Sequence, residues 1–206
     1  MSNDKGYNEY PDLLTGNTRR IDYVSDKEIW LGDYSCEALH VWHFNPKSKS
    51  FSGLPIAPNL KYLEINFSNC TNLVGLEKYP KLQRLDLNYC TKLENFNGIE
   101  NLSKGIYCLW IDHSKKLANH SDIVNLSNLK TLGLHSCGTI QSIDFIDQLK
   151  NLTMFAFMDT NVEDGNMIPL VQHNPKLDFV SFSNKRHFSH KYKEVCEILE
   201  LETLKI

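Results

Sequence analysis

A short apolar motif, Leu-x-x-Leu-x-Leu, returns along this chain at a nearly fixed interval. Leu60, Leu63 and Ile65 form one copy, and Leu82, Leu85 and Leu87 the next. Ile106, Leu109 and Ile111 follow, then Leu129, Leu132 and Leu134, then Leu152, Phe155 and Phe157, then Leu177, Val180 and Phe182. Their last members are 22, 24, 23, 23 and 25 residues apart. Apolar residues alternating with other types predict a strand with one buried face. A unit of this size cannot bury that face alone, so recurrence predicts units stacked side by side around a shared core. An earlier copy, Leu39, Trp42 and Phe44, sits 21 residues before Ile65 and gives a seventh unit.

Three residues after the last apolar position of five of these copies stands a small polar or thiol residue. The column reads Ser68, Cys90, Ser114, Cys137, Thr160. It suits a buried ladder that satisfies backbone groups where the chain leaves the strand. Further anchors then follow, among them Leu73 and Leu76, Leu93 and Phe96, Leu117, Ile140 and Ile143, and Val162. Stretches such as LKYLEINFSNC, LQRLDLNYCTKL, IYCLWIDHSKKL, LKTLGLHSCGTI and LTMFAFMDTNV resemble the leucine-rich-repeat family, over residues 39–184. The short period resembles its bacterial, internalin-like type. The ladder residue departs from the family's asparagine.

The resemblance implies an α/β fold. It is a curved leucine-rich-repeat solenoid of six to seven repeats, with a parallel sheet on the concave face and short helices or turns on the convex face. The expected organisation is a single domain over 1–206. Residues 1–38 form an N-terminal extension and cap, 39–184 the repeats, and 185–206 a helical C-terminal cap. A strand is expected within Ile21 to Asp33, and an amphipathic helix in Ser189 to Glu200 with Val195, Ile198 and Leu199 on one face. Convex segments of a turn or two of helix are expected at Ser121–Leu126 and Asp144–Lys150, and a longer one at Asp164–Asn174.

The sequence carries no phosphate-binding glycine loop, no His-Glu-x-x-His and no nucleophile elbow. Cys137 beside His135 falls in the ladder column, which reads it as a structural thiol. His113 and His135 lie one repeat apart with Asp112 adjacent, but no third metal ligand accompanies them. No cofactor, no metal and no catalytic residue is expected. The net charge is −3, which argues against nucleic acid as a partner. No apolar run reaches the length of a membrane span, and the polar start lacks a leader pattern, so the expected location is cytoplasmic.

Residues alternating with the buried ones point away from the core. One outward column is Val41, Tyr62, Arg84, Cys108, Thr131, Met154 and Phe179; the next is His43, Glu64, Asp86, Trp110, Gly133, Ala156 and Ser181. A third is Asn45, Asn66, Asn88, Asp112, His135, Met158 and Ser183, with Phe67, Tyr89, His113, Ser136 and Asp159 just beyond. Aromatic and acidic residues gather in the first clear repeats. The expected partner-binding set is therefore Tyr62, Glu64, Phe67, Arg84, Asp86, Tyr89, Trp110, Asp112, His113 and His135. Together these features predict a non-enzymatic protein-binding module, monomeric when free, that uses its concave face. Its most concrete form is an inhibitor or immunity-type protein sequestering a basic partner such as a toxin domain. A scaffold or adaptor, or a surface-interaction repeat protein, is the alternative. An enzyme or metal-binding subunit centred on His113 and His135 is the third reading.

Overall fold

The computed structural model describes residues 17–23, 34–102, 105–173 and 176–203. Among them, eight strands form one parallel sheet in chain order. They are β1 (Thr18–Asp22), β2 (Ala38–Trp42), β3 (Tyr62–Asn66), β4 (Arg84–Asn88), β5 (Cys108–Asp112), β6 (Thr131–His135), β7 (Met154–Phe157) and β8 (Phe179–Phe182). From β3 onward the register matches the repeat, with Leu63 opposite Leu85, Leu85 opposite Leu109, and Leu109 opposite Leu132. The apolar residue of each pair faces a single core that runs the length of the stack.

The first repeat corrects the sequence reading. Leu39 pairs with Leu63 and Val41 with Ile65, whereas Trp42 pairs with Asn66. Val41 is therefore core, and Trp42 is 40% exposed. The outward columns begin with Ala38, His40 and Trp42, not with Val41, His43 and Asn45. Trp and Phe imitate the motif's apolar spacing, but only alternation from Leu39 puts one strand face inward.

The polar ladder forms as expected. Ser68 Oγ donates to the Phe44 carbonyl at 2.7 Å, and Ser114 Oγ to that of Cys90 at 3.2 Å. Thr160 Oγ1 donates to the Leu134 carbonyl and accepts from the Cys137 N–H at 3.0 Å. The Cys137 thiol lies 3.2 Å from the His135 carbonyl, and burial pushes it up to about 12. Burial thus holds the thiol in its protonated form within the ladder.

The return segments are mostly short 3₁₀ helices of one to two turns, at Leu76–Lys78, His120–Asn125 and Asp144–Gln148 among others. Helix α1 (Ile168–Gln172) is shorter than the expected segment and begins next to Pro169. Helix α2 (Tyr192–Leu199) packs Tyr192, Val195, Cys196 and Leu199 inward. Ile198, expected on that face, is 51% exposed. The expected strand around Ile29 and Leu31 lies outside the described residues. No described helix is long and apolar enough to cross a membrane.

Candidate functional site

Because the strands are parallel, the residues that follow them line up along one rim of the sheet. On six successive repeats that residue has left-handed backbone: His43, Phe67, Tyr89, His113, Ser136 and Asp159, with φ between 46° and 59°. The conformation continues the ladder one step beyond the strands. The N–H of Phe67 donates to the Asn88 carbonyl and that of Tyr89 to the Asp112 carbonyl, each at 2.9 Å. It also turns the side chains out along the rim. Left-handed backbone at a bulky residue costs about 1 kcal/mol or more.

On the first four of these repeats the residue is aromatic, and the rings stack. His43 and Phe67 have centroids 5.5 Å apart, Phe67 and Tyr89 5.0 Å, and Tyr89 and His113 4.3 Å. Their planes lie within 21° of parallel. Trp42 joins at the side, 5.7 Å from Phe67. Phe67 and Tyr89 remain 40% exposed. The two ends of the stack are held by carboxylates: Asp22 accepts from His43 Nδ1 at 2.9 Å, and Asp112 from His113 Nδ1 at 2.7 Å. The fifth and sixth positions are Ser136 and Asp159, so the aromatic strip ends there.

The inner outward columns differ from the expectation. Tyr62, Arg84 and Asp86 are buried rather than exposed. Arg84 grips Asp86 with two nitrogens, the shorter contact 2.7 Å, while its guanidinium carbon lies 4.9 Å from the Tyr62 ring. The Tyr62 hydroxyl lies 2.9 Å from both Asp86 and Glu64. Burial pushes the Asp86 carboxyl up, and Arg84 opposes that shift. Glu64 is half-buried and accepts from His40 Nδ1 at 2.7 Å and from Asn66 at 2.7 Å. Burial raises its pKa, but the bonds from His40 and Asn66 outweigh burial and bring it down to about 2. These charges are spent on one another. An alternating pattern could show that they leave the core, but not that neighbouring repeats cover them.

Trp110 lies across Gly133, where a Cβ would collide with its ring, and packs against His135 at 4.7 Å. The His135 Nε2 is buried with no hydrogen-bond partner, and burial lowers its pKa. Among the described residues no three His, Cys, Asp or Glu side chains converge to hold a metal. The expected set thus divides in two. Phe67, Tyr89 and His113 are brought together as an exposed strip, beside the half-buried Asp112. Tyr62, Glu64, Arg84 and Asp86 form a network beneath it, with Trp110 and His135 half-buried beside it. Sequence reading missed Trp42 and His43 because the first repeat was set out of register.

No protein-family model matches the chain. It is 23% identical over 206 residues to disease resistance protein RPS4B of Arabidopsis thaliana, covering 90% of this chain. The match spans 17% of that protein's length. Internalin C2 of Listeria monocytogenes overlays with a TM-score of 0.48 at 17% identity, covering 70% of each chain. Internalin inlF of the same organism gives 0.49 at 16% identity, covering 95% of this chain and 68% of the other. The repeated motif, carried rung by rung through a parallel sheet with one continuous core, gives the chain the architecture of a leucine-rich-repeat solenoid.

Proposed function

We propose that this chain is a non-enzymatic protein-binding module whose contact surface is the aromatic strip Trp42, His43, Phe67, Tyr89 and His113. One observation carries the reading. Four successive repeats put exposed aromatic side chains at a left-handed position, which Gly or Asn would occupy with less strain. Ring stacking offsets only part of that strain, and clustered exposed apolar surface marks interfaces. Trp and Tyr are also frequent binding hot spots.

In its finer form the module is an inhibitor of the immunity type, occluding the protein it holds. The acids that suggested a basic partner, Glu64, Asp86 and Asp112, each meet an internal donor. The strip, rather than those acids, therefore supports the reading.

The test compares the tagged wild type with the double variant Phe67→Ser/Tyr89→Ser in affinity purification from the host. A near-stoichiometric protein retained by the wild type and lost by an equally stable variant is the expected result. Recovery of the same proteins by both would remove the strip as the site. For the inhibitor form, the recovered protein is assayed alone and with this chain; unchanged activity would leave scaffolding instead.

A further inference from the structure

Two places in this chain put an acid or its amide directly before glycine: Asn97–Gly98 and Asp164–Gly165. That pairing is chemically labile. Glycine has no side chain to shield its nitrogen, so the nitrogen can reach the preceding side-chain carbonyl and close a cyclic imide.

Packing requires the glycine at position 98. Gly98 holds φ at 98°, and a Cβ there would stand 2.8 Å from the Leu73 carbonyl carbon and from the Val74 nitrogen. Gly75 occupies the same turn one repeat earlier, with φ of 103°. In both turns a glutamate two residues on accepts the glycine N–H. Gly75 donates to Glu77 at 2.7 Å, and Gly98 to Glu100 at 3.1 Å. What differs is the residue before glycine. Val74 brings no reactive group, whereas Asn97 brings a carboxamide.

The two labile pairs are held differently. Asp164 accepts the Asn166 N–H at 3.0 Å, and the Gly165 N–H donates to the Val162 carbonyl at 3.2 Å. Asn97 is exposed, and among the described residues its side chain has no hydrogen-bond partner. The Gly98 N–H rests on Glu100, which is itself exposed. A single hydrogen bond to an exposed carboxylate restrains it lightly and opens without wider unfolding.

We infer that Asn97 is a self-modification site, converted to aspartate and isoaspartate through an imide with Gly98, and that Glu100 restrains the reaction. When Glu100 lets go, the Gly98 nitrogen gives its proton to solvent. Its electron pair bonds Asn97 Cγ, the Cγ–Nδ2 bond breaks, and ammonia leaves with a proton taken from water. Water then opens the imide. Addition at Cγ gives aspartate; addition at the main-chain carbon gives isoaspartate, with the chain rerouted through the side chain. Either product adds a negative charge near Glu100. Isoaspartate also inserts a carbon into the main chain, where the Asn97 carbonyl accepts the Leu73 N–H at 2.9 Å. The reaction therefore loosens the joint between two repeats. It is independent of what the aromatic strip binds.

The experiment ages the whole chain in warm, mildly alkaline buffer, as wild type, Asn97→Gln and Glu100→Ala, each first shown to be folded by its urea midpoint. Isoelectric focusing follows acidic isoforms, and peptide mass mapping places them. Glutamine carries the same amide one carbon further out and closes its ring slowly. The wild type is expected to accumulate an acidic isoform whose change maps to Asn97, and Asn97→Gln to lack it. Glu100→Ala should form it about two- to tenfold faster, the weight of one hydrogen bond. The isolated isoaspartate form should unfold at a lower urea concentration than fresh protein. No acidic isoform in the wild type, or one that maps elsewhere, would overturn the site. Formation in Glu100→Ala at the wild-type rate or slower would overturn the restraint by Glu100.

Discussion

The rings of Tyr89 and His113 stack 4.3 Å apart with planes 18° from parallel, and both residues hold φ at 55°. The chain accepts two strained residues one repeat apart and recovers part of that cost in ring contact. Aromatic pairs contribute about 0.5–1.5 kcal/mol beyond burial. Strain and stacking therefore separate under mutation.

Tyr89→Ala removes the stacking and keeps the strain, whereas Tyr89→Gly removes both. Glycine in a strand region normally costs about 0.5–1 kcal/mol against alanine. Here the order is expected to reverse, with Tyr89→Gly unfolding at the same or higher urea concentration than Tyr89→Ala. An alanine variant about 1 kcal/mol more stable than the glycine variant would contradict left-handed backbone at this position.

The Arg84–Asp86 pair is buried at both ends, with 2.7 Å between Arg84 Nη2 and Asp86 Oδ2. Removing one partner leaves a buried charge without compensation, which costs about 3–5 kcal/mol. Asp86→Ala is expected to unfold at a much lower denaturant midpoint. Arg84→Met/Asp86→Leu, which removes both charges, should recover most of that loss. A double variant no better than the sum of the singles would show the pair to be uncoupled.

Two groups give the acid limb of stability in separate windows. His120 is buried, which lowers its pKa to about 4 against 6.5 for the free side chain. Its folded form resists protonation, so stability present above pH 6.5 falls as pH drops toward 4. Glu64 is brought to about 2 against 4.5, so its contribution holds above pH 4.5 and is lost as pH falls toward 2. Thermal melts across pH should show His120→Phe flattening the upper window and Glu64→Gln the lower one. If both variants track the wild type slope, neither group is linked to folding.

Thr160 Oγ1 donates to Leu134 and accepts from Cys137 at once, in a fully buried position. Thr160→Val keeps the shape and strands a carbonyl and an N–H. The expected loss is about 1–3 kcal/mol in chemical unfolding. Thr160→Ser retains the hydroxyl and should fall well short of that loss. Equal losses in the two variants would assign the effect to packing.

The recurring motif alone predicts the stack: its repeat length, the strands from β3 to β8, their core-facing residues and the buried polar column. The reason is that side-chain direction alternates with period two, and a one-residue slip would expose every leucine of a repeat. It also located Phe67, Tyr89 and His113 as successive members of one column. The first repeat escaped it, because Trp42 and Phe44 keep the motif's apolar spacing while Cys36, Leu39 and Val41 carry the actual register. Which outward residues meet solvent depends on how adjacent repeats pack. Alternation says that Tyr62, Arg84 and Asp86 leave the core, but neighbouring repeats stand close enough to bury them. The left-handed backbone of the rim was likewise invisible, since no glycine or asparagine marks it; the parallel ladder imposes it from His43 to Ser136, by drawing each N–H to the next repeat's carbonyl, while that of Asp159 reaches the Ser183 hydroxyl.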